Sequence, residues 1–378
     1  MREVVVFGMI ALFAGPCSKA GDAPEAGAGT TPAAAAAAVP NPMIVEHVKA
    51  HAEGCTVNVE AGQAYSCKAG LRDAMEKAFR AAKPADFVTS FATLIQKKDD
   101  PKVSATAVAL LSEEFDTLGE DGKRKNATPE AIDALMAAYK ENTGNRGTRI
   151  GKPLAILATM GRATDKLFAA AESHPTKAAR DEVYRNSLSF GRLEAFAKLK
   201  NVAAKSKESV EASVDAVTKM YKPTDAEKAA VCPWAQGFLS DPDLKIATEA
   251  SSAMVYCRGT YIDALITEAE KRVKDKQYKN PFAMSMREPC FQFAGALTPS
   301  SADVAQCDRL YAFLEKVTND ATVDDATRGS ALWNIYYQRR DEKTLKLMRK
   351  YEKNTNKEIS KNAKDAIKSL TETYKLKG

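Results

Sequence analysis

Residues 100–111, DPKVSATAVALL, decide the fold class. Asp100 offers a side-chain acceptor to the first free N–H groups of a helix, and Pro101 fills the first helical position, where its missing N–H is not needed. Val103, Ala107, Leu110 and Leu111 then fall on one helical face, with a small alanine at its centre that lets a neighbouring helix approach closely. The same stripe returns behind Asp241-Pro242 as Ile246, Ala250, Ala253 and Met254, and near the C-terminus as Ile359, Ala363, Ala366 and Ile367. Thr327, Ala331, Asn334 and Ile335 repeat it more loosely. Thr128-Pro129 and His174-Pro175 mark two further helix starts, with His174 reading as a helix-start residue.

Outward from these stretches, one amphipathic segment follows another. About seventeen helices are expected between residues 43 and 376, broken by Gly, Pro, Asp and Asn. Composition agrees: 45% hydrophobic but only 7% aromatic residues, rich in alanine, with almost no period-two alternation. The expectation is an all-α chain, a hairpin for roughly every forty residues, which is the period of an α-solenoid of antiparallel helical hairpins. The capped, alanine-centred helices resemble the second helix of HEAT-like repeats. The resemblance covers residues 84–375 loosely, is moderately specific at 100–111, 241–254 and 358–370, and is poor at 180–225. It implies protein binding along a concave face and carries over no catalytic residue.

Before this helical domain, assigned to 43–378, two segments read as address and tether. Residues 4–13, VVVFGMIALF, have the length of a signal h-region and are too short to span a bilayer. Leu12-Phe13-Ala14-Gly15-Pro16-Cys17 resembles the lipobox of bacterial lipoproteins, with Pro16 standing where a small residue belongs. That resemblance implies a lipidated Cys17 as the mature N-terminus and a membrane anchor, with 1–17 as the signal and lipoprotein segment; the other reading is ordinary cleavage after Ser18-Lys19-Ala20. Residues 18–42, rich in Ala, Gly, Pro and Thr, cannot bury apolar surface and are expected to form a disordered tether. The expected location is the periplasm, with the membrane and an unidentified envelope protein as partners and no nucleic acid.

Either processing route leaves six cysteines, Cys55, Cys67, Cys232, Cys257, Cys290 and Cys307, an even set that suits disulfides in an exported protein. Proximity suggests Cys55–Cys67, Cys232–Cys257 and Cys290–Cys307. Cys290 and Cys307 stand level on two expected helices, at about 14 and 12 Å from their turn. Cys232 and Cys257, counted from Asp241-Pro242, differ in height by roughly 10 Å unless Pro233 bends the first helix. Cys55–Cys67 would staple the irregular segment TVNVEAGQAYS.

Motifs for chemistry are sparse. His47 and His51, one turn apart, could join Cys55 and Cys67 in a metal site, although a helix beside a disulfide loop explains them as well. Gly147–Lys152 is one residue short of a phosphate loop, has Pro153 where a magnesium-holding Ser or Thr belongs, and follows no strand. No G-x-S-x-G, H-E-x-x-H or C-x-x-C occurs. No catalysis, metal or cofactor is therefore expected.

The net charge of +6 is concentrated at one end. Residues 339–378 hold 13 Lys/Arg against 6 Asp/Glu, while everything before them sums to −1. Such an end can meet an anionic envelope partner or simply face solvent. Trp333, Tyr336 and Tyr337, followed by Arg339 and Arg340, form the densest aromatic cluster and the best candidate for a protein-binding hot spot. The leading expectation is a membrane-tethered interaction scaffold without catalysis. The alternatives are a binder of anionic envelope material through the basic end and a metal-binding or hydrolytic protein using His47 and His51.

Overall fold

A computed structural model describes residues 39–82, 84–220, 222–254, 257, 260–274 and 301–377. The first of the chain's two units, Met1–Ala37, lies outside the described residues, and with it the signal segment, Cys17 and most of the tether; so does Cys290. The second unit is almost wholly helical.

It opens with α1 (Pro42–Gly54), capped by Asn41, whose side chain accepts from the Met43 N–H at 3.0 Å. Two short strands follow, β1 (Thr56–Asn58) and β2 (Gln63–Tyr65), paired antiparallel with Val57 opposite Ala64. The irregular loop expected here is thus a hairpin. Gly62, at φ +58°, closes its turn, and a Cβ there would come within 2.8 Å of Val108 and 3.0 Å of Arg146. Glycine is required by both the backbone angle and the close approach.

The helices then run α2 (Leu71–Ala82), α3 (Phe87–Ile95), α4 (Pro101–Glu114), α5 (Gly119–Asn126), α6 (Pro129–Glu141) and α7 (Gly144–Met160). Next come α8 (Thr164–Ser173), α9 (Lys177–Asn186), α10 (Leu188–Lys205), α11 (Val210–Thr218), α12 (Asp225–Gln236) and α13 (Leu244–Ala253). The last are α14 (Thr260–Lys274), α15 (Ser301–Asn319), α16 (Asp325–Gln338), α17 (Glu342–Tyr351) and α18 (Lys357–Glu372).

Their packing follows a rule. Consecutive helices pair as α3/α4, α6/α7, α8/α9, α10/α11 and α12/α13. The second members also pack in file, α4 on α7, α7 on α9, α9 on α11 and α11 on α13. The first members do likewise, through α3, α6, α8, α10, α12 and α14. Near the C-terminus α15 pairs with α16, α17 with α18, and α16 packs on α18. One continuous cluster of buried apolar side chains runs from Ile44 to Leu370, and the predicted stripes of α4, α13, α16 and α18 all face into it. A second, small cluster of Cys55, Ala64 and Ala109 seats the hairpin on α4.

Two of the four proline-marked helix starts hold as predicted. Asp100 accepts from the Val103 N–H at 3.0 Å, and the Thr128 hydroxyl accepts from the Ala131 N–H at 3.2 Å. The other two begin later. Helix α13 starts after Asp243, because the Asp241 carboxylate accepts from the Asp243 N–H and shapes a turn around Pro242 instead of a cap. His174 ends α8 and does not start α9, whose N-cap is Thr176. Its Nε2–H is shared by the carbonyls of Tyr139 at 3.2 Å and Asn142 at 3.1 Å, while Nδ1 accepts from the Thr176 N–H.

In the drifted region, α10 breaks at Arg192, which sits at φ 47°, a strained angle for a non-glycine residue. Its guanidinium grips Glu227 of α12 through two hydrogen bonds of 2.7 Å. Burial pushes the Glu227 carboxyl up, but hydrogen bonds from Thr224 and Arg192 outweigh it and hold it below the ordinary range.

Candidate functional site

The cysteines fall largely where proximity put them. Cys55–Cys67 and Cys232–Cys257 are disulfides, with Cα–Cα distances of 4.0 and 5.8 Å. The height mismatch expected for the second pair does not arise. Helix α12 stops at Gln236, so Cys232 is only four residues from its end, and Cys257 lies beyond α13 where the chain turns back, its N–H donating to the Met254 carbonyl. Cys307 is also disulfide-bonded; its expected partner, Cys290, lies outside the described residues.

With both sulfurs of Cys55 and Cys67 in a disulfide, the imagined His₂Cys₂ set has lost its thiolates. The imidazoles are used for packing. His51 is fully buried, its Nδ1–H donating to the His47 carbonyl at 2.8 Å, and burial lowers its pKa. The His47 ring meets Phe79 edge-on at 5.4 Å. Among the described residues, no three His, Cys, Asp or Glu side chains converge as a metal site.

The aromatic cluster of α16 is brought together, but mostly inward. Tyr336 is buried and donates to the Ser369 hydroxyl at 2.7 Å; Trp333 and Tyr337 are half-buried, Trp333 packing at 4.7 Å from Tyr336. Arg339 is buried, stacks on Tyr311 at 4.2 Å, donates to the Thr344 hydroxyl at 2.8 Å and lies 3.5 Å from Asp341 and 3.6 Å from Asp308. Arg340 faces the rings of Tyr336, Tyr337 and Tyr374 at 5.8, 5.2 and 4.9 Å and donates to the Tyr374 hydroxyl. Cation–π contacts of this kind fasten α16 to α15 and to the segment after α18. The charges nominated for a partner are engaged within the fold.

The basic end divides in two. Lys343 and Lys350 of α17 reach back to Asp308 and Glu315 of α15. Lys357, Lys361, Lys364 and Lys368 are exposed, spaced four, three and four along α18, and pair with no carboxylate among the described residues. They line the face opposite Ile359, Ala363, Ala366 and Leu370.

Sequence reasoning missed a charged surface on the second file of helices. Arg185 of α9 bridges Glu211 at 3.0 Å and Asp215 at 3.2 Å on α11, and Lys245 of α13 meets Glu211 at 2.8 Å. Burial pushes the Glu211 carboxyl up, but Lys245 and Arg185 outweigh it and hold it below the ordinary range. Glu249 is shifted the other way, upward, by burial and by the charges of Asp215 and Glu211. Farther along the same file, Asn145, Thr148, Arg149 and Lys152 of α7 line a groove of about 400 Å³ with Gln63, Ser112 and Glu182. The stretch weighed as a phosphate loop is thus an ordinary helix. Its legible signal was the polar stripe 145, 148, 149, 152, one face of a helix whose other face is apolar.

No family model and no curated protein matches this chain. Among solved structures, the crystal structure of an engineered protein is similar at 14% identity over 88% of this chain and 99% of its own, with a TM-score of 0.35, a likeness too weak to carry an argument about fold or function.

Proposed function

We propose that this chain is a protein-interaction scaffold of the bacterial cell envelope, tethered through a lipidated Cys17 and acting without catalysis. The observation that carries the reading is the packing in file: each hairpin lies on the next, α4–α7–α9–α11–α13 on one side and α3–α6–α8–α10–α12–α14 on the other. Such stacking is what an α-solenoid of HEAT-like hairpins requires, and these arrays present a long surface built from one file of helices. The ion pairs linking α9, α11 and α13 supply charged groups along the second file. The disulfides suit an oxidising compartment.

The test is site-specific photo-cross-linking in cells with the full chain. Probes at Glu182 and Lys245, on the second file, are expected to capture the same discrete protein, and probes at Lys166 and Glu194, on the first file, to capture none. Equal labelling from both files, or none from either, overturns the reading. Metabolic labelling with palmitate, lost in Cys17→Ala, tests the tether separately.

A second reading draws on the four unpaired lysines of α18: binding of anionic envelope material through this end. Binding to anionic vesicles that is unaffected by raising salt from about 0.05 to 0.5 M, or by replacing the four lysines with glutamine, removes it.

A further inference from the structure

The groove on the second file contains one cation, Arg149, that no hydrogen bond or ion pair holds among the described residues. It is half-buried on the groove wall. The carboxylates around it are already engaged. Glu113, whose titration feels Arg149, is bound by Arg72 at 2.9 Å. Asp116 receives both Lys123 at 2.9 Å and Lys152 at 2.5 Å. Glu182 accepts from the Asn186 amide at 2.9 Å.

The rest of the wall offers neutral hydrogen-bonding groups. The Ser112 hydroxyl is half-buried and makes no hydrogen bond among the described residues, and the side-chain amides of Asn145 and Gln63 are likewise uncommitted. The Thr148 hydroxyl donates to the Gly144 carbonyl at 3.1 Å and keeps its acceptor lone pairs. Gly62 lets the β-hairpin lie directly on α4 and α7, so that Gln63 closes one side of the groove.

We propose that this groove is a carboxylate-binding subsite, in which the Arg149 guanidinium takes a carboxylate in a two-pronged hydrogen bond and Ser112 and Asn145 complete its shell. An arginine fork suits both carboxylate and phosphate. Charge decides between them. The charges at the groove are those of Arg149, Lys152 and Lys123 against Asp116, which the two lysines share, and Glu182, a net charge of one positive unit. A monoanion balances that net charge; a phosphate dianion would leave one negative charge over beside Glu182. The volume admits a few residues of a peptide. The inference deepens the scaffold reading and rests on it only for the source of the carboxylate, an acidic side chain of a partner protein.

The experiment titrates the ¹⁵N-labelled full chain, disulfides intact, with three N-acetylated tripeptides, the first two also C-terminally amidated, while following arginine Nε–H and backbone resonances. One carries a central glutamate, one a central glutamine, and one only a free C-terminal carboxylate on glycines. The glutamate peptide is expected to shift the Arg149 Nε–H and the amides of 148–152, and the glutamine peptide to leave them unmoved. A response to the glutamate peptide at least threefold tighter than to the C-terminal carboxylate assigns the source to side chains; the reverse order overturns that part. Arg149→Gln is expected to weaken binding at least tenfold with an unchanged melting temperature, and Arg149→Lys, which keeps the charge and loses the fork, to fall between. Equal shifts with the glutamine peptide, no shift at Arg149 with millimolar peptide, or displacement by inorganic phosphate more effective than by acetate overturns the proposal. Peptide binding at Arg149 with no partner captured by cross-linking keeps the subsite and removes the scaffold; capture without peptide binding does the opposite.

Discussion

At the C-terminal end, Arg339 and Arg340 lie against Tyr311, Tyr336, Tyr337 and Tyr374, with hydroxyls and carboxylates completing their contacts. On α7, Arg149 stands in an open polar groove with no such partner. Read as sequence, the first pair looked like a binding hot spot and the second arginine like the remnant of a failed phosphate motif. The structure reverses their availability. Aromatic and arginine density in a sequence measures how much interaction energy a segment can supply; whether the fold itself takes up that energy depends on which side chains arrive from elsewhere in the chain.

Deleting each arginine in turn separates those the fold uses from the one it leaves available. Arg339→Ala removes the stack on Tyr311 and the hydrogen bond to the Thr344 hydroxyl, and among the described residues leaves Asp308 with Lys343 alone and Asp341 with the Thr344 N–H alone. It is expected to lower unfolding stability by about 2–4 kcal/mol, read by denaturant titration. Replacing Cys55 and Cys67 by alanine opens the staple behind the groove's hairpin and is expected to cost about 2–3 kcal/mol, while broadening the resonances of 56–65.

Glu114 sharpens the contrast between engaged and unengaged charges on α4. It is buried, its Oε2 has no hydrogen-bond partner, and burial, helped by the charges of Glu76 and Glu113, pushes its carboxyl up to about 7. A folded-state value above the unfolded one means that the folded state holds the proton more tightly. The stability this confers is fully present below about 4.5 and is lost as pH rises through about 7. Glu114→Gln should therefore gain about 1–3 kcal/mol at pH 8 and almost nothing at pH 4, measured by melting at both values. The smallest effect belongs to Arg149→Ala, which should leave stability within about 0.5 kcal/mol of the parent. If it destabilises as much as Arg339→Ala, then Arg149 is a structural residue and is not available to a partner.

Helix capping located the starts of α4 and α6, because Asp100 and Thr128 act on N–H groups within three positions of themselves. The same reasoning placed His174 and Asp241 wrongly. Each has a stronger use nearby, in a turn that the cap rule does not describe. The Cys232–Cys257 geometry was misjudged for a similar reason: the helix ends at Gln236 and Ala253 were not legible, and counting rise per residue fails once the chain leaves the helix. The groove could be seen only as a polar face of α7, since Gln63, Ser112 and Glu182 come from three other elements.

Sequence alone indicated the all-helical class, the buried stripes with alanine at their centres and the pairing of Cys55 with Cys67 and of Cys232 with Cys257, because each depends on interactions among residues close along the chain. The tertiary structure decided the two files of packed helices, the turning inward of Arg339 and Arg340, and the isolation of Arg149. Those outcomes depend on which distant side chains meet, and in a low-dielectric, close-packed interior a charge's availability is set by the partners that reach it rather than by its neighbours in sequence.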